Sequence, residues 1–286
     1  MEAPTFFRDS QLPEVLTGIL GQQPDGHIFV LVDGTADSPL LERFFRYAPD
    51  AGYHPLFLGT DMEDCLPYSP YMAQISLRHM EFIQTCTWEC SPIWFTSPIP
   101  MERQLDFWKS RLYTGLPDGR HLLFRYWNPK ILGPFVQDTD PTVAQSFLRP
   151  VVNLITPHPI QRQFAYHTIQ PSIEVRAIPG SWPFPESALK VFEQSFSQLQ
   201  SREIENHLWA NAPEIMEQVH PALVPIKINA GLECGLKLGL SRDDALCRFV
   251  ECQMRWGDGF WQHEAFQSIW QQPDPGELFL AKLEIL

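Results

Sequence analysis

Proline punctuates this chain. Each of its 27 prolines among 286 residues fixes φ and removes a backbone donor, so regular elements must be short and sharply ended, with many loops between them. The remaining composition is globular: 44% hydrophobic and 19% charged residues exclude a disordered polymer. The length allows one large core or two lobes.

Hydrophobic periodicity changes once along the chain. Up to about residue 178 strand and helix signals alternate: helix 12–20, strand 27–32, helix 39–47, strands 54–58 and 71–75, a short helix from Leu77, strand 93–96, helix 101–113, then strands 163–168 and 173–177. The segment IPGSWPFP, 178–185, is too rich in Pro and Gly to lie inside an element and reads as a hinge. Beyond it Ala188, Val191, Phe192, Phe196 and Leu199 fall on one helical stripe, Ser241 to Asp244 opens a helix carrying Leu246, Phe249, Val250 and Met254, and a last helix runs over 276–286. The expected class is α+β. A mixed-sheet α/β lobe over 1–178 is followed by a small α-helical lobe over 186–286. No internal repeat or low-complexity tract is present.

The run IFVLVDGTADSPLL, 28–41, poses the first chemical question. In aspartate-nucleophile phosphatases a strand ends D-x-D-G-T, and the first Asp attacks phosphorus. Here Leu31 stands in that position, and an apolar side chain can neither form an acyl-phosphate nor ligate Mg²⁺. What remains is a buried strand leaving the sheet at Asp33-Gly34, with Ser38 capping a helix that begins at Pro39.

Other chemistries lack their frameworks. There is no G-x-S-x-G, P-loop, G-x-G-x-x-G or H-E-x-x-H. His263-Glu264 reads as a helix start, while His54 and His158, beside prolines, suggest turns. The carboxylates Asp61, Glu63 and Asp64, and Asp243 and Asp244, sit where turns or first helical turns are expected. Cys86 and Cys90 could share a helix face, but no second pair at ligand spacing follows, so the six cysteines read as reduced thiols. Neither a catalytic set nor a metal or cofactor is expected. The formal charge of -13 is spread over both halves, which argues against a nucleic-acid face. With no apolar run of membrane-spanning length and no basic and apolar start, the expectation is a cytoplasmic protein without a membrane partner.

The stretch His121 to Trp127 reads as a strand with Leu122, Phe124 and Tyr126 on one face and Leu123, Arg125 and Trp127 on the other. Arg125 needs a carboxylate or carbonyl partner if it is buried, with Asp33 the candidate, or else must reach the surface along the face of Trp127.

In order and spacing, LVDGTADSPLLERFF, HPLFLGT and LPDGRHLLFRYWNPKIL resemble the adaptor/chaperone family of bacterial type VI secretion, catalogued as domain-of-unknown-function family 4123, over about residues 25–150. The motif positions are Asp33, Gly34, Asp118, Gly119, Arg120, Arg125 and Pro129. Asn128 stands where the family usually has Asp, and Lys130 where Arg is common; the two keep a turn-forming side chain and a cation. KINAGLECGLKLG and FVECQMRWGDGFWQHEAF are similar to the variable second lobe of such adaptors.

The resemblance implies binding rather than catalysis. Members escort a toxic effector in the donor cytoplasm and help seat it on a spike protein of the VgrG/PAAR type, so effector and spike are the implied partners. The expected contact surface is a cleft beside the hinge, joining Trp127 and Asn128 to Trp256, Phe260 and Trp261. Two other readings stand beside it: a hydrolase with a non-motif active site assembled from unlinked loops, and a self-associating scaffold.

Overall fold

Every side chain of Ile28–Val32 is buried, which an antiparallel strand achieves only when both faces of its sheet are covered. The computed structural model describes residues 3–23, 28–34, 39–116, 119, 121–158, 161–170 and 182–285, without the side chains of 187 and 191–196. Two compact units divide it, Met1–Phe196 and Ser197–Leu286.

In chain order the first unit contains β1 (Thr5–Phe7), α1 (Leu12–Leu20), β2 (Ile28–Val32), α2 (Pro39–Tyr47), β3 (Tyr53–Pro55), β4 (Tyr71–Ile75), α3 (Met80–Thr85), β5 (Ile93–Thr96), α4 (Met101–Lys109), β6 (Tyr113–Gly115) and β7 (His121–Leu123). Then come α5 (Pro129–Asp138), α6 (Pro141–Phe147), β8 (Asn153–His158), β9 (Gln163–Thr168), β10 (Trp182–Pro183) and the beginning of α7 (Glu186–Asn211). Seven strands form one sheet in the order β1-β9-β8-β5-β2-β4-β3, antiparallel at every junction. Alternation along β2 sends Phe29 and Leu31 into a core with Trp108 of α4, Phe135 of α5 and Phe147 of α6. Ile28, Val30 and Val32 join Leu16 of α1, Phe44 of α2 and Phe82 of α3 on the other face. The result is a helix–sheet–helix sandwich.

The α+β class holds, with its mixture in an unexpected place. Among the described residues the parallel pairing is β10 on β6, in a small second sheet ordered β10-β6-β7. The expected helix over 101–113 ends at Lys109, and Tyr113 to Gly115 supply β6 instead. The expected strand 54–58 shortens to β3 because Leu56 and Phe57 turn into the core, where the Phe57 N–H donates to Ser69 Oγ at 3.0 Å. The strand expected over 121–127 stops at Leu123. Phe124, Tyr126 and Trp127 are all buried in one core, whereas strand alternation would send Trp127 to the opposite face; the Tyr126 hydroxyl is drawn inward to donate to the Trp108 carbonyl at 2.6 Å. Asn128-Pro129 does more than end that strand: Asn128 caps α5, accepting from Lys130 N at 2.9 Å, and Pro129 takes the first helical position. The strand expected over 173–177 and the cap at Ser38 lie outside the described residues.

Part of the expected hinge, 178–181, also lies outside them. The remainder is built into the first unit: Trp182 and Pro183 form β10, and Phe184 and Ala188 belong to the same core as Trp108. The division between units falls inside α7, between Phe196 and Ser197, because the apolar stripe of this helix begins by serving the first core.

The second unit is helical, as its periodicity requires: the rest of α7, α8 (Pro213–Met216), α9 (Val224–Lys237), α10 (Asp243–Trp256), α11 (Glu264–Gln267) and α12 (Pro275–Leu283). Leu208, Ile228, Leu232, Leu246, Phe249 and Phe279 form its core. Gly231 and Gly235, spaced G-x-x-x-G, let α9 lie close on α10; a Cβ at Gly235 would stand 2.9 Å from Leu246 Cδ2. Helix α10 opens without the Ser241 cap: its cap position is Arg242, which makes no side-chain cap bond and pairs with Asp244 at 2.6 Å. Among the described residues no helix is long and apolar enough to cross a membrane.

Candidate functional site

Parts of two sequence motifs of the first unit meet at the C-terminal end of β2. Asp33 leaves that strand, Asn128 and Pro129 open α5, and all three line one cleft of about 260 Å³ together with Lys130, Glu89 and Cys90. Gly34 follows Asp33 because nothing larger fits: a Cβ there would sit 1.8 Å from the Ser69 carbonyl oxygen. Asn128 is fixed on both sides, its amide N–H donating to the Arg125 carbonyl at 2.9 Å and its carbonyl accepting from Ile131 and Leu132 at 2.9 Å.

Two potential nucleophiles border this cleft, Cys90 and Ser91. Burial pushes the Cys90 thiol up, against the opposing pull of Arg43, so it is protonated at neutral pH and a poor nucleophile. The Ser91 hydroxyl accepts from Trp94 Nε1 at 2.9 Å and donates to the Pro92 carbonyl at 3.1 Å, so both of its hydrogen-bonding roles are engaged. Leu31, at the phosphatase nucleophile position, is sealed in the core. The cleft offers charges of both signs and an ordered rim for recognition.

Trp127 is not a surface contact. It is 3% exposed, packed edge-on against Phe57 at 5.7 Å and Tyr126 at 5.2 Å. Arg125 takes the surface alternative and not a buried pairing with Asp33: it is exposed, because the chain has already left the strand and turns its side chain outward. Among the described residues of this unit the buried arginine is Arg111, whose guanidinium lies 4.8 Å from the Phe107 ring centroid. Desolvation, then the nearby Arg149, lowers it to about 10. Sequence reading missed it: Arg111 follows Lys109 and Ser110 past the end of α4, where no local pattern marks a cation for burial. Of the remaining motif positions, Gly119 has φ +85° and donates its N–H to the Leu116 carbonyl at 3.0 Å, a turn favouring glycine. Asp118 and Arg120 lie outside the described residues.

In the second unit the structure does bring the expected aromatics together. Trp256, 49% exposed, rests on Phe260 at 5.7 Å and Phe266 at 6.3 Å. Phe260 is buried between Phe249 and Trp261, and Trp261 accepts through its carbonyl from Trp270 Nε1 at 2.9 Å. Gly257 and Gly259, with φ +90° and +89°, wrap the chain around Asp258, which accepts from Gln253 Nε2 at 2.8 Å. Trp256 is therefore a large apolar ring held outward on an ordered base. Trp209, Ile226 and Leu236 are also exposed in this unit.

The remaining titratable residues have local duties. His54 lies in β3 and His158 closes β8, so both stand in strands and not in turns. His263 caps α11, accepting from Ala265 N at 3.3 Å. Glu63 accepts from Gly59 N at 3.2 Å, beside the 3-10 turn Glu63–Tyr68. Cys86 ends α3 and Cys90 bridges to Thr87, so the two thiols do not share a helix face. Among the described residues no three His, Cys, Asp or Glu side chains gather as a metal-binding group.

Residues 28–146 match a family described as Domain of unknown function (DUF4123). That span begins with β2, contains the whole motif series from Asp33 to Pro129, and ends within α6. No curated protein and no solved structure matches the chain.

Proposed function

We propose that the protein is an adaptor/chaperone that binds a toxic type VI secretion effector in the cytoplasm and helps load it onto the spike (VgrG/PAAR) complex. The observation that carries this reading is the coincidence of the family match, 28–146, with the three segments on which the resemblance to such adaptors rests. Two features support binding as the task. Trp256 and Trp209 are half exposed, the kind of aromatic anchor that dominates protein interfaces. The cleft at Asp33 is bordered by a protonated thiol and an engaged hydroxyl, an arrangement suited to recognition.

The test is co-expression of the full chain with the toxin and the spike protein encoded beside its gene. The expected result is a stable complex with the toxin that forms without the spike, and a lower yield of soluble toxin when the chain is omitted. Failure to associate with any neighbouring gene product, combined with turnover on an ester or phosphate panel that one carboxylate substitution abolishes, would replace this reading with the hydrolase.

A further inference from the structure

Strand β7 is an open sheet edge of unusual character. Among the described residues it pairs with β6 alone, Tyr113 opposite Leu123, Thr114 opposite Leu122 and Gly115 opposite His121. Just past it the Phe124 N–H donates to the Leu112 carbonyl at 2.8 Å. Hydrogen-bonding direction alternates along a strand, so Leu122 also faces β6, and the amides and carbonyls of His121 and Leu123 point to the free side. All three residues are exposed, Leu122 at 43% and Leu123 at 38%.

Proteins normally blunt such edges with proline, charge or cover. The edge strands β3 and β10 each contain a proline, Pro55 and Pro183, and β1 buries Phe7. Among the described residues, strand β7 has none of these protections. Beside it opens a pocket of about 150 Å³ between Leu122, Leu123, Ile131, Phe184 and Leu189, and Thr114, whose buried hydroxyl has no partner, lines the same pocket. The charged residue on its wall is Arg125, exposed and without an ion pair among the described residues.

We infer that β7 is a docking edge for an extended segment of a partner protein in which apolar and acidic residues alternate. The segment adds as a strand, its backbone answering His121 and Leu123, one apolar side chain filling the pocket, and an acidic side chain meeting Arg125. Although the chain carries a net charge of -13, charges beyond about 8 Å are screened at physiological salt, so the local arginine selects the sign. The inference rests on the reading of the protein as a binding module and adds the surface and the class of segment.

The probe is a fluorescein-labelled heptapeptide alternating glutamate with valine and leucine, titrated against the full chain. Companion peptides carry lysine for glutamate, or N-methyl groups on the backbone edge that would pair. The acidic peptide should bind at least tenfold more tightly than the basic one, lose binding on N-methylation, and slow hydrogen exchange at residues 121–123. Leu122→Glu should weaken it at least tenfold, and Arg125→Glu, at an exposed site, should reverse the preference toward the lysine peptide. Absent binding, protection mapping elsewhere, or indifference to Arg125→Glu would overturn the inference, as would self-association abolished by Leu122→Glu, which makes a second copy the occupant. An effector retained undiminished by Leu122→Glu would remove the docking edge and leave the adaptor function standing; peptide binding at β7 with no effector captured would do the reverse.

Discussion

Gly34 is where the Asp-Gly motif becomes a packing constraint. The position where its Cβ would lie, 1.8 Å from Ser69 O, is set by main chain, not by a side chain that can swing away, so Gly34→Ala must displace β4's approach to β2. The expected loss is about 3 kcal/mol, at the upper end of overpacking costs, read by urea denaturation. Arg125→Ala should by contrast leave stability within about 0.5 kcal/mol of wild type, as for an ordinary surface site, with thermal melting as the check. The local sequence announced a turn at Asp33-Gly34, but not that Ser69, 35 residues on, closes against it; that information is tertiary. His167 is equally hidden in sequence. It is 1% exposed, neither ring nitrogen has a partner, and burial, with His158 nearby, lowers it to about 4. Between that value and the ordinary 6.5 the unfolded chain holds a proton the folded one refuses, so stability falls as pH drops through this window, by about 3 kcal/mol. Burial lowers His158 as well, adding to the loss in the same direction. Denaturation midpoints from pH 7 to 4 test the effect, and His167→Leu should flatten the profile without loss of stability at pH 7.

Elements whose pattern is local and one-sided were legible in the sequence. Helices α1 and α2 and strands β4, β5 and β9 have the residue bounds their periodicity implies. Segments 121–127 and 153–158 were not legible, for opposite reasons. In the first, Phe124, Tyr126 and Trp127, which a strand would divide between two faces, are gathered into one core by a turn, while Leu122 and Leu123 stay exposed. In the second, β8 carries Thr156, Pro157 and His158 into the buried centre of the sheet, where no composition rule expects them. The G-x-x-x-G of α9 is the element-scale feature with the sharpest consequence. Gly235 faces Leu246 and Phe249 of α10, so Gly235→Leu should force the pair apart and cost about 3 kcal/mol. Ala230→Leu, on the exposed side of the same helix, should change stability by less than about 0.5 kcal/mol. Chemical denaturation of the two variants compares overpacking with propensity, since leucine is an adequate helix former at both positions.

At the scale of the whole molecule, the question is where the first unit can be cut free. A break at the Pro- and Gly-rich segment, just before α7, looks natural from composition. It would strip Ala188, which belongs to the buried core around Trp108, and Leu189, which packs against it. Removing one buried small side chain and the helical turn that covers a core exposes apolar surface to water, at roughly 25 cal/mol for each Å² uncovered. A fragment ending at Phe196 keeps both residues and coincides with the division between the units. The fragment 1–196 should therefore melt cooperatively with the near-ultraviolet signature of packed tryptophans, and the fragment 1–185 should melt earlier by several degrees or bind a hydrophobic dye. Equal melting temperatures for the two fragments would mean that the start of α7 contributes nothing to the first core. On the adaptor reading the fragment 1–196, which keeps β7 but lacks Trp209 and Trp256, should hold its effector only at reduced affinity. Retention at undiminished affinity would instead locate recognition within the first unit, where the cleft at Asp33 and the open edge of β7 are the surfaces to test next by substitution.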